Sequence, residues 1–141
     1  MAKTPVAFFD LQESRGGVYA VIGTRGGSKY RNKGYATQAA KKGFEWYEKN
    51  KERFGYDELR WYAYTKNEKS IGLAKKMGLK PKYYNYFEVT YSDQVRKTPK
   101  QMRREAKRED RYTAKVRRRY GEPPEPKDQT QLAVLERLEK I

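Results

Sequence analysis

One stretch restricts this chain's folds more than any other. Val18–Ile22 is an apolar, β-forming run, and Ala20–Ala40, AVIGTRGGSKYRNKGYATQAA, carries it through a basic, glycine-containing loop into a helix beginning at about Gly34. A strand that turns into a helix presents backbone N–H groups without helical partners, and these together with the helix dipole favour an anion, typically a phosphate. Arg25, Lys29, Arg31 and Lys33 add positive charge at the same point. Gly34 has no Cβ to hold a ligand off the backbone. A basic surface loop with glycines for turning is the plain alternative.

The flanking sequence sets that stretch in a β-α-β arrangement. Val6–Leu11 reads as a strand, Glu13–Gly17 as a turn, and Val18–Thr24 as the returning strand of an antiparallel hairpin. In the helix from Gly34, Ala36, Ala40, Phe44 and Tyr47 share one face, and Asn50 and Gly55 mark its end. Leu59–Thr65 is a strand expected to lie parallel to the second one through a right-handed crossover. Asn67 can cap a helix over about Lys69–Met77, with Ile71, Leu73, Ala74 and Met77 facing the sheet and Gly78 ending it. Tyr83–Tyr91 reads as one long last strand. Thr98-Pro99-Lys100-Gln101 is a capping box with proline at the first helical position, and that helix continues to Tyr120. Its apolar stripe is too poor for a core helix. After the extended Pro123–Pro126, Asp128 with Gln131 starts a short helix with Leu132, Leu135, Leu138 and Ile141 on one edge.

Composition removes several chemistries. The 141 residues include no cysteine and no histidine, so disulfides, thiolate nucleophiles and imidazole bases are excluded, and no metal site is expected. No apolar run is long enough to span a bilayer, and a cytoplasmic protein is the default. The net charge of +15 points to an anionic cofactor, nucleic acid or an acidic partner. Residues 96–119 hold 12 basic and 3 acidic side chains, more than half of that excess.

Two motifs resemble a known family. Arg31-Asn32-Lys33-Gly34-Tyr35-Ala36 fits Arg/Gln-x-x-Gly-x-Gly/Ala and resembles the acetyl-CoA pyrophosphate loop of the GNAT superfamily of N-acetyltransferases. Asn67-Glu68-Lys69-Ser70 through Lys76-Met77-Gly78-Leu79 resembles the family's Asn-x-x-Ser/Ala helix, which ends in Lys-x-Gly-Phe. The resemblance runs from about Val6 to about Thr90 and leaves the C-terminal third uncovered. It implies an α/β fold with a mixed sheet, a GNAT-like acyl-CoA acyltransferase core. In it the strands at Val18–Thr24 and Leu59–Thr65 part at their C-terminal ends to admit acetyl-CoA. It further implies that Lys29, Tyr30, Arg31, Asn32, Lys33, Gly34, Tyr35 and Ala36 hold the pyrophosphate, and that Asn67 and Ser70 meet the pantetheine arm or thiol end. The bland alternatives are a helix cap for Asn67 and a first-turn residue for Ser70.

Catalysis is less legible. Many family members carry a tyrosine four residues after the Ser/Ala position, and this chain has Ala74 there. That matches a subset resembling ribosomal-protein N-terminal acetyltransferases, and equally a degenerate site. Ser70, Tyr64 and Glu13 are weak catalytic candidates, with Asp10 and Tyr62 beside them. The chain starts near the family's third strand, so the resemblance implies an N-terminally truncated core whose front lobe is missing or supplied by another polypeptide. The expected organisation is an acetyl-CoA-binding domain over 1–95, a basic helical extension over 96–121, and a linker with a short helix over 122–141. Two functions are open: an N-acetyltransferase acting on an amine, or an inactive GNAT-fold binding or assembly module. Arg103, Arg104, Lys107, Arg108, Arg111, Lys115, Arg117, Arg118 and Arg119 would bind nucleic acid or an acidic protein. The Val6–Leu11 edge invites a second copy or another chain unless the last helix folds back over it.

Overall fold

The computed structural model describes residues 6–14, 17–25, 29, 33–85, 87–121 and 130–141. The elements are β1 (Ala7–Ser14), β2 (Gly17–Thr24), α1 (Tyr35–Phe54), β3 (Leu59–Tyr64), α2 (Glu68–Lys76), β4 (Lys80–Tyr84), β5 (Glu88–Ser92), α3 (Pro99–Tyr120) and α4 (Gln131–Lys140). The strands form one mixed sheet in the order β1-β2-β3-β5-β4. β1 and β2 make the expected hairpin, in continuous register from Ala7 opposite Thr24 to Ser14 opposite Gly17. β2 and β3 are parallel neighbours joined through α1, as the β-α-β reading required.

The run Tyr83–Tyr91 is two strands, not the expected one. β4 and β5 pair antiparallel, and Asn85 makes the turn: its Oδ1 accepts hydrogen bonds from the N–H groups of Phe87 and Glu88, both at 2.8 Å. The aromatic β-formers on either side conceal the break, because strand propensity takes no account of a side chain bonding its own backbone two residues on. The return places β5 between β3 and β4.

Alternation along the strands decides which face is covered. Leu59, Trp61 and Ala63 of β3 point inward and are buried, while Tyr62 and Tyr64 point outward and are exposed. α1, α2 and α4 all contribute to the core on the inner face, through Ala40 and Tyr47, Ile71, Leu73 and Ala74, and Val134 and Leu138. Phe9 lies directly on Gly43 of α1, where any Cβ would stand 1.9 Å from its ring, so helix and sheet approach closely only because that position is glycine. From there Phe44 reaches both Phe9 and Trp61, with ring centroids 5.5 and 6.2 Å apart. On the outer face Tyr19 and Tyr62 meet edge to face at 5.8 Å, and Tyr83 lies exposed two strands from Tyr62, across Thr90.

The C-terminal third packs on this body. α3 begins with the expected capping box, Thr98 with Gln101. The expectation that α3 stays out of any core fails for its first half: Met102 and Ala106 are buried in a small second core with Leu135. A stripe too short to hold a helix alone suffices once α4 lies against it. α4 is capped by Thr130, whose Oγ1 accepts from the Ala133 N–H at 3.2 Å; Asp128 lies outside the described residues. Lys75 Nζ donates to the carbonyls of Leu138 and Ile141, and Arg137 donates to the Thr65 carbonyl at 3.1 Å. The apolar edge of α4 therefore seals the sheet beside α2 and β4. It does not cover β1, which stays the outer strand at the other end.

Candidate active site

α1 differs at its start from the other helices. Asn67, Thr98 and Thr130 cap α2, α3 and α4 with side-chain oxygens, whereas α1 has no side-chain cap among the described residues and no acidic residue in its first turn. Its first helical bond runs from Gln38 N–H to the Gly34 carbonyl, leaving the amides of Tyr35, Ala36 and Thr37 without helical partners. Gly34 takes up a left-handed conformation, φ 77° and ψ 11°, and a Cβ there would meet none of the described residues within 4 Å. That positive φ turns the loop sharply into the helix and leaves open space over the amides. A cavity of about 560 Å³ lies at this point, between the start of α1 and the flank of α2, with Lys33, Lys69 and Lys76 on its walls and Glu68 the one carboxylate among the described lining residues.

The cavity adjoins an opening in the sheet. β2 and β3 pair only at Val18–Leu59 and Tyr19–Arg60, although β2 runs on to Thr24 and β3 to Tyr64. Beyond those pairs the two strands part, and a cleft of about 380 Å³ lies between Ala20–Ile22 and Trp61–Tyr64. The facing main-chain groups have no strand partner among the described residues. Asn67, Ser70 and Glu88 complete the lining.

Each side chain at this cleft has a defined set of partners. Asn67 Oδ1 accepts from Ser70 N–H at 3.1 Å, so its oxygen is used as the cap of α2. Ser70 Oγ accepts from Trp61 Nε1–H at 2.9 Å. With that lone pair occupied from the core side, the hydroxyl proton of Ser70 remains for a group in the cleft. Glu88 was missed in the sequence, hidden by the single-strand reading of Tyr83–Tyr91; the pairing of Tyr64 with Glu88 brings it to the cleft on the outer face. Splitting that run at Asn85 is the signal that would have found it.

The other expected residues divide. Lys33, Gly34, Tyr35 and Ala36 line the α1 cavity, and Tyr62 and Tyr64 line the cleft. Glu13 lies elsewhere: it pairs with Val18, at the end where β2 and β3 are still joined, and accepts from Tyr56 Oη at 2.9 Å. Asp10 faces a separate groove of about 610 Å³ between β1 and α1. Lys29 is exposed on the loop, while Gly26, Gly27, Tyr30, Arg31 and Asn32 lie outside the described residues. Arg103 is engaged with Glu139 at 2.6 Å, and the remaining basic residues of α3 are exposed except the half-buried Arg117. No helix among the described residues is long and apolar enough to cross a membrane.

A helix start free of side-chain caps among the described residues, set at the mouth of two diverging parallel strands, is the arrangement that the resemblance to the GNAT superfamily implies. Residues 4–80, more than half of the chain, match the family model described as acetyltransferase (GNAT) domain, and the chain belongs to that family. Among solved structures, a GNAT-family acetyltransferase from Bacillus anthracis is similar, with a TM-score of 0.49 and 18% identity over 61% of this chain and 55% of that one. The chain thus spans about half the length of that relative. No match was found among curated proteins. Acetyltransferases of this family generally use acetyl-CoA, and three features here fit it: the uncapped amides of α1, the open space at Gly34, and the unpaired main chain of β2 and β3.

Proposed function

We propose that this chain is an acetyl-CoA-dependent N-acetyltransferase whose acceptor is an amine. The observation that carries the reading is the parting of β2 and β3 beyond Tyr19 and Arg60, at the uncapped start of α1. The amides of Tyr35, Ala36 and Thr37, with Lys33, hold the pyrophosphate by charge-assisted hydrogen bonds. The open edges of β2 and β3 align the pantetheine arm as a further strand would be aligned. Acetyl-CoA supplies the activated thioester. The chain supplies position, which is the larger part of what acyl transfer to a good nucleophile requires.

Two groups in the cleft lining bear on the transfer. Glu88 is the one carboxylate among the described residues lining the cleft, and it accepts the proton that the attacking amine sheds. Ser70, with its oxygen held by Trp61, donates a hydrogen bond that stabilises the departing thiolate and keeps its own proton; coenzyme A leaves as the thiolate and is protonated by solvent. This hydrogen bond replaces the tyrosine common in the family, since Ala74 at that position is fully buried in the core.

The same buried Ala74 supports a second reading, a GNAT fold retired from catalysis and kept as a binding module. Calorimetry with acetyl-CoA, followed by a coenzyme A thiol-release assay over peptides with free N-termini and polyamines, separates the two. The absence of cysteine makes that assay free of protein thiol background. Thiol release that depends on the amine supports the enzyme. Binding of acetyl-CoA without release over any amine supports the module, and no binding refutes both the enzyme and the cofactor assignment.

A further inference from the structure

We propose that the second half of α3, residues 111–120, is a binding site for the phosphate backbone of nucleic acid. The sequence spreads cations over the whole helix; the fold sorts them into two halves. In the first half two of the three acidic residues have structural tasks. Asp110 accepts the N–H groups of Gln131 and Leu132 at 2.7 and 3.1 Å, anchoring the start of α4, and Glu105 takes Lys97 at 2.8 Å. The same half is fastened by Met102 and Ala106 in the small core, and by Arg103 through Glu139.

Beyond Asp110 the character of the helix changes. Residues 111–120 hold five cations and no acid. All are exposed except the half-buried Thr113 and Arg117. Two adjacent stripes run along this half at a spacing of four residues. One is cationic, Arg111, Lys115 and Arg119. The other is Tyr112, Val116 and Tyr120, with the tyrosines 64% and 76% exposed. The cationic stripe is about 12 Å long at the helical rise. Like charges at this spacing destabilise an isolated helix, and a polyanion laid along them relieves the repulsion.

The composition favours nucleic acid over an acidic protein. Four of the five cations are arginines, whose planar forks suit phosphate oxygens. Exposed tyrosine rings offer faces on which bases stack, a contact that acidic peptides lack. No side-chain pattern for reading base edges accompanies them, so the binding is sequence-nonspecific. This inference does not rest on acetyl transfer.

The test uses the full chain and fluorescently labelled mixed-sequence RNA and DNA oligonucleotides, single- and double-stranded, with anisotropy read over a salt series. With about four phosphates neutralised, affinity is expected to fall on the order of 100-fold between about 50 and 200 mM salt. The variant Arg111→Gln/Lys115→Gln/Arg118→Gln/Arg119→Gln removes most of that affinity and flattens the salt slope by about 3. Its helicity by circular dichroism is unchanged, since glutamine is a good helix former. A control removing four body cations, Lys41, Lys42, Lys49 and Lys66, shifts affinity by less than about threefold, as the screened field of distant charges requires. Tyr112→Ala/Tyr120→Ala weakens single-stranded more than duplex binding. No binding by the intact chain, equal losses in both cation sets, or equal competition by polyglutamate at matched charge overturns the proposal; the last result identifies an acidic protein as the occupant.

Discussion

Substituting Gly34 separates the cofactor reading from a merely structural role for the loop. Gly34 has φ 77°, and a Cβ there meets none of the described residues within 4 Å. Gly34→Ala therefore costs only left-handed backbone strain, about 1 kcal/mol, and a chain of this size should lose about 3–4 °C in melting temperature. Gly34→Glu carries the same strain and adds a carboxylate over the amides of Tyr35, Ala36 and Thr37. A unit charge about 5 Å from one phosphate charge costs about 3 kcal/mol at an effective dielectric constant of about 20. Gly34 is exposed, so salt and water reduce this to about 2 kcal/mol. The expected outcome is a loss of acetyl-CoA affinity of about 30-fold or more for Gly34→Glu, against about threefold or less for Gly34→Ala. Both variants should melt alike. Isothermal titration calorimetry gives the affinities and thermal circular dichroism the stabilities. Equal affinity in the two variants would refute the placement of the pyrophosphate, and unequal melting would show that the glutamate acts through the fold.

Other outcomes follow from the same structure. Ser70→Ala should lower turnover about 100-fold with little change in acetyl-CoA affinity, in the range of a lost hydrogen-bond donor to developing negative charge; an unchanged rate removes Ser70 from the chemistry. Leu138→Ala, fully buried where α4 meets the sheet, should cost about 2–5 kcal/mol in urea unfolding, and Ile141→Ala at the exposed end close to nothing; equal small effects would mean that α4 is not docked. Burial pushes Tyr91 up to about 12, and burial together with Glu105, Asp110 and Glu139 does the same for Tyr84. The fold thus favours the neutral phenols: stability is fully present below the unfolded tyrosine value of about 10 and declines as pH rises from there through 12. Thermal melts with tyrosinate absorbance should show these hydroxyls ionising only on unfolding, and complete ionisation near pH 10 in the folded chain would contradict the burial. Finally, β1 is an eight-residue outer strand without lysine or proline and with Phe8 exposed, and it should pair with β1 of a second copy. Light scattering should report a dimer that Phe8→Lys converts to monomer; a monomeric parent chain refutes the pairing.

Local chemistry was enough for much of this architecture. The hairpin, the β-α-β unit, the caps at Asn67 and Thr98 and the start of α1 at Gly34 each depend on residues within a few positions of one another. Alternation, helical spacing and capping oxygens act at that range, so the sequence alone determined them. Where the strands would part was implied only by the resemblance of the loop motif and the Asn67–Ser70 motif to the GNAT family, since a turn and a helix cap do not by themselves separate neighbouring strands. Tertiary structure decided what depends on partners distant in the chain. The local turn at Asn85 folded an apparently continuous strand in two, but only the pairing of β5 with β3 delivered Glu88 to the cleft. Register put Glu13 at the closed end of the parallel strands and Ser70 against Trp61. The basic helix, whose acids all fall at or before Asp110, divided in its packing as well once α4 lay against its first half. That packing drew Asp110 and Arg103 into contacts, while Lys97 before the helix took Glu105, and residues 111–120 were left as a largely exposed run of positive charge.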